Sequence, residues 1–170
     1  MPARPSVVFI GPMAAGKSKL GKRVAALLRT DFTDTDKLVV AEHGDIPTIF
    51  SLYGEIAFRE MERSAVQKAL QRAGVVSLGG GAILNLDTQG DLRDLPVVYV
   101  HVTPEAVASR IQNSSRPLLT DGVAGWQRIF EQRRPIYEDL ADIDFDTSTA
   151  HLGDIASTIA AWVRAREGTT

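Results

Sequence analysis

A chain of 170 residues, 44% apolar and 24% charged, has the length and composition of one soluble domain with a hydrophobic core. Nineteen basic against 21 acidic side chains leave a net charge of −2, which excludes a general basic surface for nucleic acid. With no cysteine, disulfides, thiolate catalysis and a Cys-built zinc site are excluded as well.

Residues 1–5 carry one arginine and lead into an apolar run too short to span a membrane, with no small-residue cleavage site before it. A cytoplasmic protein is expected. The run at 6–10 is apolar without alternation, the pattern of a strand buried on both faces. It is followed by Gly11-Pro12-Met13-Ala14-Ala15-Gly16-Lys17-Ser18, a G-x-x-x-x-G-K-S loop, and then by a helix over 19–29. Strand, glycine-bounded loop and helix are the context in which backbone N–H groups and a helix N-terminus form a phosphate nest. A nucleoside triphosphate is therefore expected here. Lys17 would reach the β- and γ-phosphates and Ser18 would stand on Mg²⁺.

Residues 32–35 read as a short strand ending in Asp34-Thr35-Asp36, and 37–43 and 47–53 as helices divided by His43-Gly44-Asp45. A longer helix is expected over 55–72, a buried strand over 75–78 running into Gly79-Gly80-Gly81, and a strand over 97–102. Thr103-Pro104-Glu105 opens a further helix with a cap and a proline at its first position. Residues 112–125 are polar and Gly/Pro-punctuated, a loop of a length that is usually functional or disordered. A helix over 126–141 with a break at Pro135, a strand over 143–146 and an amphipathic helix over 155–166 close the chain. Short buried strands alternating with helices predict an α/β fold: a parallel sheet with helices on both faces and ligands at the carboxyl ends of the strands.

Three signals thus follow three strands and can converge on one edge: the phosphate loop, Asp34-Thr35-Asp36 and the glycine triplet. In an extended segment Asp34 and Asp36 would point the same way. They could serve metal and substrate hydroxyls, or act as a helix N-cap and a first-turn acid. The triplet could admit a ligand to bare backbone or only form a tight turn. Ser77 stands where many phosphate-loop proteins carry a metal-assisting carboxylate. Arg59 could face the sheet edge or pair with Glu55 and Glu62 on its own helix. Arg133 and Arg134 could be a solvated face. His43, His101 and His151 have no metal-ligand spacing.

Taken with Phe58-Arg59-Glu60-Met61-Glu62, Arg116-Pro117-Leu118-Leu119 and Arg133-Arg134-Pro135-Ile136-Tyr137, these motifs resemble the shikimate kinase family over nearly the whole chain. The resemblance implies a three-layer α/β/α P-loop kinase fold with a central, mostly parallel five-stranded sheet and a mobile lid. It implies one domain over 1–170, with an acceptor-binding region at 36–62 and the lid at 112–125. The implied reaction is ATP-dependent phosphorylation of the 3-hydroxyl of shikimate, with one Mg²⁺ per subunit, in chorismate and aromatic amino-acid biosynthesis. Lys17, Asp34 and Arg116 are the implied catalytic residues, with Ser18 and Asp34 beside the metal. Nucleotide contacts fall on Met13, Ala14, Ala15, Gly16, Lys17, Ser18, Lys19, Arg116, Thr149 and His151, and acceptor contacts on Asp36, Arg59, Gly80, Gly81 and Arg133. ATP and shikimate are the expected partners of a monomer that meets neither nucleic acid nor membrane.

Two positions depart from the family. Many members carry Gly at Ala14 and Thr at Lys19. A positive φ at Ala14 would cost roughly 1 kcal/mol, and Lys19 sets a cation at the positive end of a helix. Two other readings stay open: a kinase of another small hydroxy acid such as gluconate, and a nucleotide-binding regulator without turnover.

Overall fold

Strands form where the chain carries apolar residues that cannot choose between two faces. In the computed structural model, which describes residues 2–111 and 121–168, β1 (Pro5–Ile10) sends Val7 and Phe9 into one core and Val8 and Ile10 into another. The same split recurs in β3 (Gly74–Ser77), with Val75 against Val76, and in β4 (Val97–His101), with Val98 and Val100 against Val97 and Tyr99. Side chains that alternate between two buried layers require helices on both sides.

With β2 (Phe32–Asp34) and β5 (Ile143–Asp146) these strands form a five-stranded sheet in the order β2-β3-β1-β4-β5, parallel throughout. One face is covered by α1 (Lys17–Leu28) and α7 (Leu152–Glu167), whose Leu20, Val24, Ile159 and Val163 fill the first core. The other is covered by α3 (Ile46–Leu70) and α4 (Leu86–Leu92). Between β2 and α3 lies α2 (Thr35–His43), and α5 (Pro104–Ile111) follows β4. Finally, α6 (Gly122–Leu140) straddles the sheet end, giving Trp126 to the first core and Tyr137 and Leu140 to the second.

Most predicted elements are present, and four details differ. The turn at Ala82–Leu84 and α4 were not predicted. Residues 122–125, predicted as loop, are the first turn of α6, while the rest of that segment, 112–120, lies outside the described residues. No break occurs at Pro135, which sits inside α6. Proline costs about 3 kcal/mol in a helix interior, and the flanking anchors Arg133 and Tyr137, both buried, hold the helix through it. The two helices predicted either side of residue 54 form one run interrupted only at Gly54 (φ 82°, ψ 175°).

Register explains how the site is placed. Ser77 lies opposite Phe9 on one side and Asp34 on the other, so the ends of β1, β3 and β2 form one row. The segment after β1 turns to one face, into α1, whereas that after β3 turns to the other, through Ala82 and Ile83. Adjacent parallel strands whose connections part in this way leave a crevice between them, where ligands bind in open α/β sheets.

Candidate active site

The phosphate loop closes the end of β1. Ala14 has φ 67° and Gly16 φ 85°, the left-handed turns that swing successive N–H groups to one side. For Ala14 that conformation costs about 1 kcal/mol, as expected from the sequence. Gly16 is the N-cap of α1 and supplies no side-chain cap to the first N–H groups of the helix. Lys17 is nearly buried and donates from Nζ to the Pro12 carbonyl at 2.9 Å. Lys19 is exposed on the first turn of α1, which contains no acid.

Asp34 does two things at the end of β2. It accepts from Lys37 N at 3.3 Å as the N-cap of α2, and from the Ser18 hydroxyl across the crevice. The helical cap and the site role are therefore one arrangement. The extended geometry expected for Asp34 and Asp36 is not found. Because α2 starts at Thr35, Asp36 lies in its first turn, and the two carboxylates point to different places. Asp36 faces the glycine triplet instead.

That triplet is built for close approach. A Cβ at Gly79 would stand 2.5 Å from Oδ1 of Asp36 and 2.9 Å from Oε2 of Glu62. A Cβ at Gly81 would stand 2.6 Å from Nη2 and 2.7 Å from Cζ of Arg59. The guanidinium thus lies against bare backbone. Arg59 pairs with Glu62 at 2.8 Å and with Glu55 at 3.3 Å, yet its buried Nε has no hydrogen-bond partner among the described residues. Both readings of Arg59 hold: it makes the helical ion pairs and it faces the sheet edge. Burial pushes the Glu62 carboxyl above its ordinary range, and the Arg59 charge pulls it back. Arg133 is buried on α6, not on a solvated face, whereas Arg134 is exposed and pairs with Glu138 at 2.7 Å. Burial also raises the Tyr137 phenol to about 12, against the opposing charge of Arg133. It stays protonated and donates to the Gly80 carbonyl.

Two cavities result. One, of about 420 Å³, is lined by Ala14 to Lys19, Asp34, Asp36, Ser77, Gly80, Arg110 and Thr147 among others. The second, of about 310 Å³, is lined by Met13, Asp36, Phe50, Phe58, Arg59, Glu62, Gly80, Gly81 and Arg133 with part of α2 and α3. Asp36 and Gly80 belong to both. A polyphosphate cradle therefore opens onto a small chamber holding two guanidinium groups.

A family model described as shikimate kinase matches residues 13–164. The chain belongs to the shikimate kinase family. It is 42% identical over 151 residues to the shikimate kinase of Corynebacterium efficiens, a match covering 86% of this chain and 89% of that one. To the shikimate kinase of Streptomyces coelicolor it is 43% identical over 141 residues, covering 81% and 82%. Among solved structures, shikimate kinase from Acinetobacter baumannii in complex with shikimate superposes with a TM-score of 0.89 at 28% identity, over 96% of this chain and 94% of that one. Membership brings shikimate kinase activity, ATP dependence and a place in the shikimate pathway.

Relative to the shikimate kinase expectations, Met13, expected at the nucleotide, borders the smaller cavity and not the larger one. The larger cavity is also lined by Arg110, Ile111, Thr147 and Leu152; Thr149 and His151, expected at the nucleotide, are exposed and not among the lining residues. Arg116 lies outside the described residues. For magnesium, the contact between the Ser18 hydroxyl and Asp34 provides hard oxygen donors beside the phosphate cradle. No group of three or more His, Cys, Asp or Glu gathers elsewhere among the described residues. Few protein oxygens with phosphates and water suit Mg²⁺, which rarely takes an all-protein cage.

Sequence reasoning left three participants unnamed. Arg110 donates to the Ala14 carbonyl at 3.0 Å, Thr147 to that of Ala15 at 2.7 Å, and Trp126 from Nε1 to that of Met13 at 2.8 Å. Each is about a hundred residues from its partner, and no local pattern marks them.

Proposed function

We propose that the larger cavity takes the ATP polyphosphate and the smaller one shikimate, with the acceptor 3-hydroxyl delivered at Asp36 and Gly80, where the two meet. That shared boundary carries the reading. A two-substrate transfer needs an opening between cradle and chamber, and the walls of both are in place without rearrangement of the strands.

The geometry supports the following roles. Arg59 and Arg133 present guanidinium forks to the acceptor carboxylate, and the unpartnered Nε of Arg59 is a donor in wait for it. Asp36 accepts from acceptor hydroxyls, with bare backbone at Gly80 and Gly81 alongside. Tyr137 fixes Gly80 from behind. The loop N–H groups hold the phosphates, and Lys17 exchanges the Pro12 carbonyl for a phosphate oxygen. Asp34 orients the attacking hydroxyl and with Ser18 would hold Mg²⁺, which supplies charge neutralisation on the phosphates. Positioning and electrostatics account for most of the catalysis in such transfers. Among the described residues no helix is long and apolar enough to cross a membrane, and we read the protein as a cytoplasmic monomer.

Lys17→Ala tests the central assignment. Loss of one transition-state cation costs roughly 10²- to 10³-fold in kcat, with circular dichroism unchanged and the phosphate of any product on the C3 oxygen. A near-normal kcat in the folded variant would sink the placement of the polyphosphate.

A further inference from the structure

A phosphate nest works only if the carbonyls of its peptides point away from the anion, because the N–H groups point toward it. Carbonyls turned outward into protein need donors of their own. Here three consecutive loop carbonyls each have one from elsewhere in the fold: Met13 from Trp126 at 2.8 Å, Ala14 from Arg110 at 3.0 Å and Ala15 from Thr147 at 2.7 Å. Two features of the Trp126 contact bear on the acceptor side. Its donor is a fully buried indole stacked on Phe130 at 5.1 Å, so its position is set by core packing and not by a mobile side chain. Its acceptor, Met13, is the loop residue that borders the acceptor cavity, with its backbone N 3.2 Å from where a Gly80 Cβ would stand.

We propose that Trp126 is a positioning residue of this kinase: its indole N–H fixes the Met13 peptide and thereby the height and tilt of the phosphate cradle above the acceptor chamber. Packing alone does not require an indole at this place, since a phenyl ring could stack on Phe130. The N–H is the group that reaches the loop. The same helix carries Arg133 into the acceptor cavity and Tyr137 to the Gly80 carbonyl. One rigid element therefore references the loop and the acceptor side to each other. Ala14 makes this reference necessary. A left-handed alanine does not hold its turn by local preference, so neighbouring peptides must be held from outside.

The inference rests on the polyphosphate lying in the loop, and Trp126→Phe tests it apart from that reading. Phenylalanine keeps the stacked ring and removes the donor. A lost bond that leaves its carbonyl unpaired is worth up to about 5- to 150-fold, expected as a fall in kcat/KM for ATP carried mainly by KM. KM for shikimate stays within about twofold. Unchanged KM for ATP in the folded variant overturns the proposal, whatever its thermal midpoint. A purely structural role would lower stability and leave KM alone. If Trp126→Phe does not fold, Trp162→Phe decides, because it leaves Trp126 as the only indole. Titration of Trp162→Phe with MgADP should then change tryptophan emission; no change overturns the proposal. If Lys17→Ala abolishes transfer while Trp126→Phe is silent, the role of Trp126 alone fails. If Lys17→Ala is near normal, the loop placement itself fails.

Discussion

Gly81→Ala separates function from stability at the acceptor site more cleanly than removal of an arginine. A Cβ there would stand 2.6 Å from Nη2 and 2.7 Å from Cζ of Arg59, where carbon contacts settle near 3.5 Å. The guanidinium must therefore retreat by about 1 Å, enough to break an oriented hydrogen bond. The backbone does not resist the change, since φ at Gly81 is −97°, open to any residue. Alanine also narrows the unfolded ensemble by about 0.4–1 kcal/mol, which offsets only part of the weakening of the Arg59 pairs with half-exposed Glu55 and buried Glu62. The thermal midpoint should fall by several degrees at most, less than on removal of the arginine, which would leave the buried Glu62 carboxyl without its partner. Binding should suffer more. A charge-assisted hydrogen bond to a carboxylate is worth about 1.5–3 kcal/mol, or roughly 10- to 100-fold. Steady-state kinetics at saturating ATP should show KM for shikimate raised by that factor, with KM for ATP unchanged. A folded Gly81→Ala variant with KM for shikimate within twofold of the parent would remove Arg59 from the acceptor site.

Two further variants test electrostatics. Lys19→Gln removes a cation from the positive end of α1, where no acid balances it, at little change in helix propensity. The nucleotide-free protein should gain about 0.3–1 kcal/mol, seen as a rise of about 1–3 °C in the melting midpoint that fades in 1 M salt; a salt-independent change would assign it to something other than charge. Glu62 has its carboxyl raised above the ordinary value of 4.5, chiefly by burial, with Asp36 adding to the rise and Arg59 and Arg133 opposing it. The folded state then binds more protons than the unfolded state just above pH 4.5, so this contribution is fullest below that value and is lost as pH rises through the folded pKa. Glu62→Gln should flatten that decline, and its urea midpoint should gain on the parent as pH increases; parallel profiles would count against a raised Glu62.

The sheet and the phosphate loop were legible because their signals are local. Runs such as Val7 to Ile10 can only be buried strands, and the loop motif carries its own geometry. The pair Asp34 and Asp36 shows where local reasoning fails. The two-residue period holds only if the strand continues, and α2 starts between them at Thr35. Arg133 read from its neighbours as a surface residue, because Glu131 and Glu138 surround it in sequence and Pro135 suggests a helix end. Only the family resemblance pointed inward. The helix runs through Pro135, which carries Arg133 into the cavity and turns Arg134 out to Glu138. The glycine triplet was ambiguous for a different reason. Its spatial partners, Asp36 and Arg59, come from two other elements.

The same distinction accounts for a loop that departs from its family at Ala14. A glycine at φ 67° would hold the turn at no steric cost, and alanine spends about 1 kcal/mol to do so. That expense is tolerable only where the turn is over-determined. Trp126, Arg110 and Thr147 provide this from three separate elements of the fold, each through a carbonyl next to the strained residue or its own. Net bonds of about 1 kcal/mol apiece exceed the strain. The loop therefore takes its shape from the assembled sheet and helices as well as from its own glycines. Ala14→Gly should accordingly change stability little on its own, since the relieved strain is offset by the entropy glycine adds to the unfolded chain. Combined with Trp126→Phe it should restore part of the lost affinity for ATP, because a loop relieved of strain depends less on being held.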